Sequence, residues 1–448
     1  MYKTTKRLNK KTVKNKTRAL AAVVMLPTLA FSGQLLATTN DELSAKIKML
    51  ESQLTQLQQL VTEQGQKQQE IATVVTKKAD SPVSGSKFTY GGFVKFDAMQ
   101  SDYSGGERAT AAIGDDILVP STIPVGGNDG ATRFDTSVKT SRFWFKTVTP
   151  TDMGNVRTHF ELDMLTGDGD ERISNSSHSR IRHAYLAWDY EEDSSLLLGQ
   201  TWSTFMSTAV LPEAADFIGP TSGVIFNRQS QVRWSHKLDN GDKLHLALEN
   251  PSTGTIDGGG GISGSNFDDN SVPDVVARYD GSFGSFSYNV AALGRQITYD
   301  TGTQDEDKFG AAFSLSGKYV FGNGDDLKLQ LNHGNLGRYI ALQAFRDASV
   351  ESDGDLDLLD VTGGFIAYRH FWTPKLRSTF SYAMSSADNS NDVSDTNTEE
   401  VSNYSANLFY SPTKKLSFGI ELFKAERELE NGDDGDLRRV QFTGKYTF

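Results

Sequence analysis

From Lys87 to Phe448 the chain alternates apolar and polar positions with period two, in about sixteen segments. Val156, Thr158, Phe160 and Leu162 share one face of such a segment; Arg157, His159, Glu161 and Asp163 share the other. Leu244, Leu246 and Leu248 stand against Lys243, His245 and Glu249 in the same way, and the pattern returns at 286–292, 309–315, 327–331, 380–384, 404–410 and 416–422. One apolar face repeating every second residue predicts half-buried strands. The connections alternate as well. Short turns are expected at 150–155, 191–195, 238–243, 280–284, 321–326, 373–375 and 411–415. Long polar loops are expected at 103–136, 166–179, 201–225, 250–272, 296–307, 334–358, 386–400 and 427–437. Seven short and eight long connections join sixteen strands, which predicts an all-β transmembrane barrel of 16 antiparallel strands over 87–448.

A different period governs the N-terminal side. Leu43, Ile47, Leu50, Leu54, Leu57, Val61, Gln64, Gln68, Ile71 and Val75 keep 4-3 spacing, so 38–78 is expected to be an α-helical coiled coil. The remaining faces are polar, and a helix with so narrow a stripe needs copies of itself. The heptads leave dimer and trimer open. Residues 79–86 (ADSPVSGS) read as a linker. Before the helix, eight Lys/Arg between Lys3 and Arg18 precede the apolar run 19–31, the order of a secretory signal peptide over 1–37. Cleavage after Ser32 and after Ala37 are both open.

The third long connection, 201–225, differs from the others. Phe205, Met206, Val210, Leu211, Phe217, Ile218, Val224 and Ile225 make it apolar, with only Glu213 and Asp216 charged. A loop of that composition packs against something. Folded into a barrel it becomes a constriction; capping the barrel or docking on a neighbouring subunit is the plainer alternative.

Composition narrows the function. The chain has no cysteine, which excludes disulfides and thiolate chemistry. Without the first 37 residues it carries 37 basic against 57 acidic residues, a balance that excludes nucleic acid as a partner. His spacing fits no metal site, the acidic run 352–357 lacks the spacing of a calcium loop, and no nucleophile elbow or phosphate loop occurs; no enzyme, cofactor or metal is expected.

The first strand YGGFVKFDA (90–98), RIRHAYLAW (180–188) and above all GQTWSTF…LPEAADFIGP…NRQSQVRW (199–234) resemble the DcaP-like trimeric porins of Gram-negative bacteria. The resemblance covers nearly the whole chain after the signal peptide. It implies a homotrimer in the outer membrane, in contact with membrane lipid and lipopolysaccharide, with the coiled coil in the periplasm and open to cell-wall contact. It also implies passive uptake of small organic anions such as dicarboxylates. Alternatives are a sugar- or phosphate-selective porin, or a non-transport barrel acting as envelope tether or adhesin.

With the apolar face of each strand turned to lipid, the lumen receives Lys95, Arg142, Lys146, Arg157, Arg233, Lys243, Arg278, Arg295, Lys318, Lys328, Arg377, Lys415, Arg439 and Lys445. The acids on that side are Asp97, Glu161, Asp163, Glu249, Asp274 and Glu421. A basic lumen in an acidic chain favours anions. Two strands break the rule. Arg180 and Arg182 share parity with Leu186 and Trp188, and Arg369 with Phe365 and Ala367; a bulge, or an arginine snorkelling near a strand end, would resolve either. The expected constriction residues are Arg142, Arg157, Arg182, Glu213, Asp216, Arg228, Arg233, Arg278 and Lys318. The two carboxylates are expected to face the arginines across the narrowest level, and inward aromatics are expected to be few.

Overall fold

The computed structural model describes Lys48 and residues 85–448, apart from 109–111, 128, 167–175, 258–269, 301, 303–304 and 391–392. The expected signal peptide, coiled coil (Lys48 excepted) and linker up to residue 84 lie outside the described residues. The strands are β1 (Lys87–Tyr103), β2 (Ala131–Ser137), β3 (Arg142–Thr151), β4 (Gly154–Asp163), β5 (Arg180–Asp189), β6 (Ser194–Trp202), β7 (Arg228–Lys237), β8 (Lys243–Glu249), β9 (Ile256–Asp257), β10 (Asp274–Phe283), β11 (Phe286–Asp300), β12 (Asp305–Val320), β13 (Asp326–Gly334), β14 (Ala348–Val350), β15 (Leu356–Leu358), β16 (Asp360–Thr373), β17 (Leu376–Asp388), β18 (Thr398–Tyr410), β19 (Leu416–Leu429) and β20 (Asp434–Thr447).

β9, β14 and β15 form a small separate sheet among the long loops. The others close on themselves. β1 pairs with β3 over 87–93 and with β2 over 97–103, so β2 and β3 act as one stave broken at 138–141. β20 runs antiparallel to β1 from Phe93 to Tyr103 and closes the ring. The result is a sixteen-stave antiparallel barrel with no open edge, a form in which every ladder group is satisfied without water. Its outer face carries Phe313 (60 % exposed), Leu331 (61 %) and Leu422 (59 %), with many like them. At about 25 cal/mol per Å² of apolar surface, so large a band is stable only against lipid.

Sequence and structure part at three places. Two expected long loops, 296–307 and 427–437, are largely strand, since β11 runs to Asp300 and β12 from Asp305, and β19 runs to Leu429 and β20 from Asp434. There both faces meet water or loops, so the alternation that betrays a strand fades. In β5 the parity conflict is a bulge: Glu161 pairs with His183 and Leu162 with Ile181, so Arg182 is the extra residue and turns inward. Gln200 Nε2 donates to the Ile181 carbonyl beside the bulge (3.0 Å). In β16 the ladder is regular through Arg369 and shifts only between Phe371 and Thr373, so a bulge is not the cause. Phe365 and Ala367 simply face inward and are buried, because 203–227 packs on them.

The lumen is therefore partly filled. Phe205, Met206 and Ile225 pack with Leu336, Tyr339, Ile340 and Phe345 of a second inward loop, against small wall residues such as Ala247, Ala291 and Ala312. Ile225 and Ile340 form a β-bridge, and the Phe226 N–H donates to the Tyr339 carbonyl (2.8 Å). That contact holds Ala341, Leu342 and Gln343 in successive left-handed conformations, which only a firmly packed neighbour sustains. At the base of this loop Asp347 is fully buried and receives a fork from Arg295 (2.7 and 3.0 Å); that guanidinium holds its carboxyl below the ordinary range against the opposing pull of burial.

Candidate functional site in the barrel lumen

The tongue 203–227 leaves β6 and crosses the lumen along one wall, fixed at each step by a side chain from the barrel. The Thr204 N–H donates to Glu249 (2.6 Å), and Arg278 donates to the Met206 carbonyl (2.8 Å). Asn289 reaches Ser207 (2.6 Å), and Lys328 the Leu211 carbonyl (2.8 Å). Glu213 receives a bidentate fork from Arg377 (2.5 Å on each arm). Glu421 accepts the N–H groups of Ala215 (2.5 Å) and Asp216 (3.0 Å), while Lys95 and Gln441 donate to the Ala215 carbonyl. The return leg is held by Asn403, Ser385 and Asn332. At Gly223 a Cβ would overlap the Gly364 carbonyl, so a glycine is required where the tongue meets β16. These partners run from β8 round to β20 and β1. Toward β3–β5 the tongue presents the ring of Phe217.

That opposite wall is where the expected arginines gather. Arg142 lies 5.2 Å and Arg182 5.5 Å from the Phe217 ring centre. Arg182 also sits over Trp202 (5.4 Å), and so does Arg228 (4.9 Å). Beneath them are two buried carboxylates. Glu161 takes Arg182 (2.7 Å) with Arg142 at 3.8 Å; Asp163 takes Arg182 (2.8 Å) and a fork from Arg180 (2.9 and 2.8 Å). Four guanidiniums thus surround two carboxylates. Among the described residues Arg142 Nε and Arg228 Nη1 are buried with no hydrogen-bond partner, which leaves two donors open to an acceptor in the lumen.

The remaining expected residues fall elsewhere. Arg157 forks onto Asp189 (2.6 Å twice) and with Arg233 lines the short-turn mouth, not the narrow level. Arg278 is a tongue pin paired with Asp280 (2.6 Å). Lys318 lies opposite Lys328 in the β12–β13 register, on the covered wall. Neither tongue carboxylate faces the arginines of β3–β7. Glu213 is taken by Arg377 of β17, and Asp216 is buried, accepting the Leu118 N–H (3.2 Å) with Arg439 at 4.0 Å. The reason is chain direction: the tongue crosses before it reaches residue 213, so its acids meet the far wall.

Inward aromatics are not few. Trp144, His159, His183, Trp202, Phe226 and Phe217 form a continuous track with neighbouring ring centres 4.8–6.4 Å apart. Parity alone hid it, since half its members lie at strand ends or on the tongue. Arg180 and Arg377, absent from the expected set, belong to the site. The inward Asn403 and Asn407, four residues apart on β18, were the available sign of a docked backbone.

A family model described as DcaP outer membrane protein matches residues 33–448. Among solved structures, the outer membrane channel DcaP of Acinetobacter baumannii superposes with a TM-score of 0.69 at 23% identity, covering 82% of this chain and 98% of that one. A loop L8 deletion mutant of OmpT from Vibrio cholerae aligns with a TM-score of 0.49 at 13% identity, over 82% of this chain and 100% of that one. No curated protein matches the chain.

Proposed function

The chain belongs to the DcaP outer membrane protein family and is an outer-membrane porin, and on that premise we propose that it favours small organic anions, dicarboxylates among them. The observation that carries this reading is the β3–β7 wall: Arg142, Arg180, Arg182 and Arg228 around only Glu161 and Asp163, with two N–H groups unmatched. A carboxylate passing between this wall and Phe217 gains charge-assisted hydrogen bonds that water-exposed arginines would not give it. Because Glu161 and Asp163 already hold half the positive charge, the anion is held weakly and leaves.

The active assembly is a homotrimer in this reading, each barrel conducting on its own. A sugar pore is the second reading, favoured by the aromatic track. It needs bare ring faces, whereas Trp202 has Arg182 and Arg228 over its ring and Phe217 has Arg142 and Arg182. The test is the reversal potential of single channels under a KCl gradient. A chloride-selective potential, with conductance in groups of three, is expected. A cation-selective one sinks the proposal, and a block of the ion current by disaccharide would install the sugar reading.

A further inference from the structure

Arg157 and Arg233 do not join the arginine wall, and their surroundings suggest why they are there. They line a cavity of about 750 Å³ at the short-turn mouth, together with Tyr185, Lys243 and His245. Arg233 lies five residues beyond Arg228 on β7, about 17 Å of strand at roughly 3.4 Å per residue, so the two places are distinct levels of one passage.

The two acids deepest at the cavity are engaged and three more stand at its rim. Asp189 is held by the Arg157 fork, and Asp280 by Arg278 (2.6 Å) and His245 (3.2 Å). Asp193 stands 4.0 Å from Lys237, and Glu191 and Glu192 are exposed on the turn at the rim. On the other side of the balance, Arg233 Nε is buried with no acceptor among the described residues, and Lys243 is an exposed cation. A buried N–H donor beside a roomy polar cavity is open to an acceptor from outside the protein, water or anion.

We propose that this vestibule is a second anion-binding station, in series with the arginine wall, that takes one carboxylate of a small organic anion at Arg233, with Lys243 nearer the mouth of the same cavity. The proposal rests on the anion reading above. Two weak stations in line let an anion step off the inner wall without crossing bare, low-dielectric protein, and let a second anion at the wall displace the first. The outward-lying acids of the 191–193 turn then repel it into bulk water.

Planar-bilayer recordings of the full-length protein in KCl test this, with disodium succinate as the probe added to one side at a time. Succinate from the short-turn side is expected to block chloride current, and R233Q/K243Q to weaken that block about tenfold while block from the loop side changes less than twofold. Unchanged short-turn block in R233Q/K243Q overturns the station. Should R233Q fail to assemble, K243Q alone, at an exposed position, is expected to weaken the same block at least threefold, and no change there counts equally against it. R142Q/R228Q separates the two ideas. If it leaves chloride preference intact, the arginine wall fails as the selectivity element. The station is then judged by the short-turn block alone.

Discussion

Glu213→Gln is the sharpest test of how the tongue is held. The carboxylate accepts both arms of the Arg377 guanidinium at 2.5 Å, with only 14% and 24% of the two side chains exposed. A hydrogen bond to a charged group contributes about 1.5–3 kcal/mol, and the amide of glutamine replaces at most one arm of the fork. The loss of about 2 kcal/mol raises the undocked population of the neighbouring segment roughly thirtyfold. It does not free the whole tongue. The Ala215 carbonyl still receives Lys95 (2.8 Å) and Gln441 (2.9 Å), and Glu421 still holds the next two N–H groups. The expected phenotype is open-channel noise and brief high-conductance sojourns, with ordinary assembly and a normal main level. Arg377→Gln is expected to do the same, and the double variant to be no worse than either single one, since the two residues act as one contact. A quiet Glu213→Gln channel, or additive effects in the double variant, would refute the assignment of this pair as a tongue pin.

Arg142→Gln and Arg228→Gln should each reduce the chloride-to-potassium permeability ratio about fifteenfold, since a unit charge at roughly 5 Å in water-like dielectric shifts each ion by about 0.8 kcal/mol in opposite directions. In 1 M KCl, where the Debye length is about 3 Å, the difference from wild type should nearly vanish when reversal potentials are compared. Gly223→Ala forces a methyl onto the Gly364 carbonyl, and overpacking of about 1–3 kcal/mol should appear as a lower melting temperature in detergent together with a larger conductance. Asp325, in the turn before β13, accepts the Phe371 N–H (2.8 Å), His370 (2.8 Å) and Tyr368 (2.7 Å), which hold its carboxyl well below the ordinary range. A lowered folded-state pKa gives stability that is present above the ordinary carboxylate range and is lost as pH falls through the lowered one. Thermal unfolding between pH 7 and pH 2 should therefore show an acid-side loss that Asp325→Asn blunts.

Much of the barrel was legible because lipid enforces a strict period. Every stave that crosses the apolar band must put alternate residues into it, and the segments at 156–162, 244–248 and 309–315 carry that mark openly. Legibility ended where lipid ceased to be the partner. Ile297 and Tyr299 are buried against the small outer sheet, so 296–300 read as a loop although β11 runs through it. The facing of Phe365, Ala367 and Arg369 was left open because apolar residues were taken to face lipid, whereas the tongue had made the inner side of β16 apolar too. The apolar tongue itself was visible in composition, but its partners were not. Which wall receives Glu213 depends on how many residues the chain spends crossing the lumen, and no local pattern encodes that distance. Arg182 was the intermediate case: its parity conflict announced an irregularity, and the bulge with Gln200 beside it resolved it.

The placement of the tongue changes what the lumen charge means. A count over all inward residues gives many more bases than acids and suggests a uniformly positive pore. Under the tongue much of the excess is paired off. Lys95 is matched by Asp97 (2.6 Å), Arg278 by Asp280, Arg377 by Glu213, and Arg295 at the base of the second loop by Asp347. Those cations serve docking, and in low dielectric each needs its acid to be tolerable. On the β3–β7 side, where no backbone is docked, four arginines share two carboxylates among the described residues. Any field that favours anions is therefore local, and it follows from which wall was left bare. Two kinds of acid substitution then separate cleanly. Replacing Glu213 or Asp97 disturbs the tongue and should change conductance with little change in ion preference. Replacing Glu161 with Gln releases Arg142 and Arg182 from a shared anion and should raise chloride preference while leaving the tongue docked. Reversal potential and main conductance level, measured on the same variants, resolve the two roles. If Glu161→Gln moves conductance alone, the bare wall is not the selectivity element.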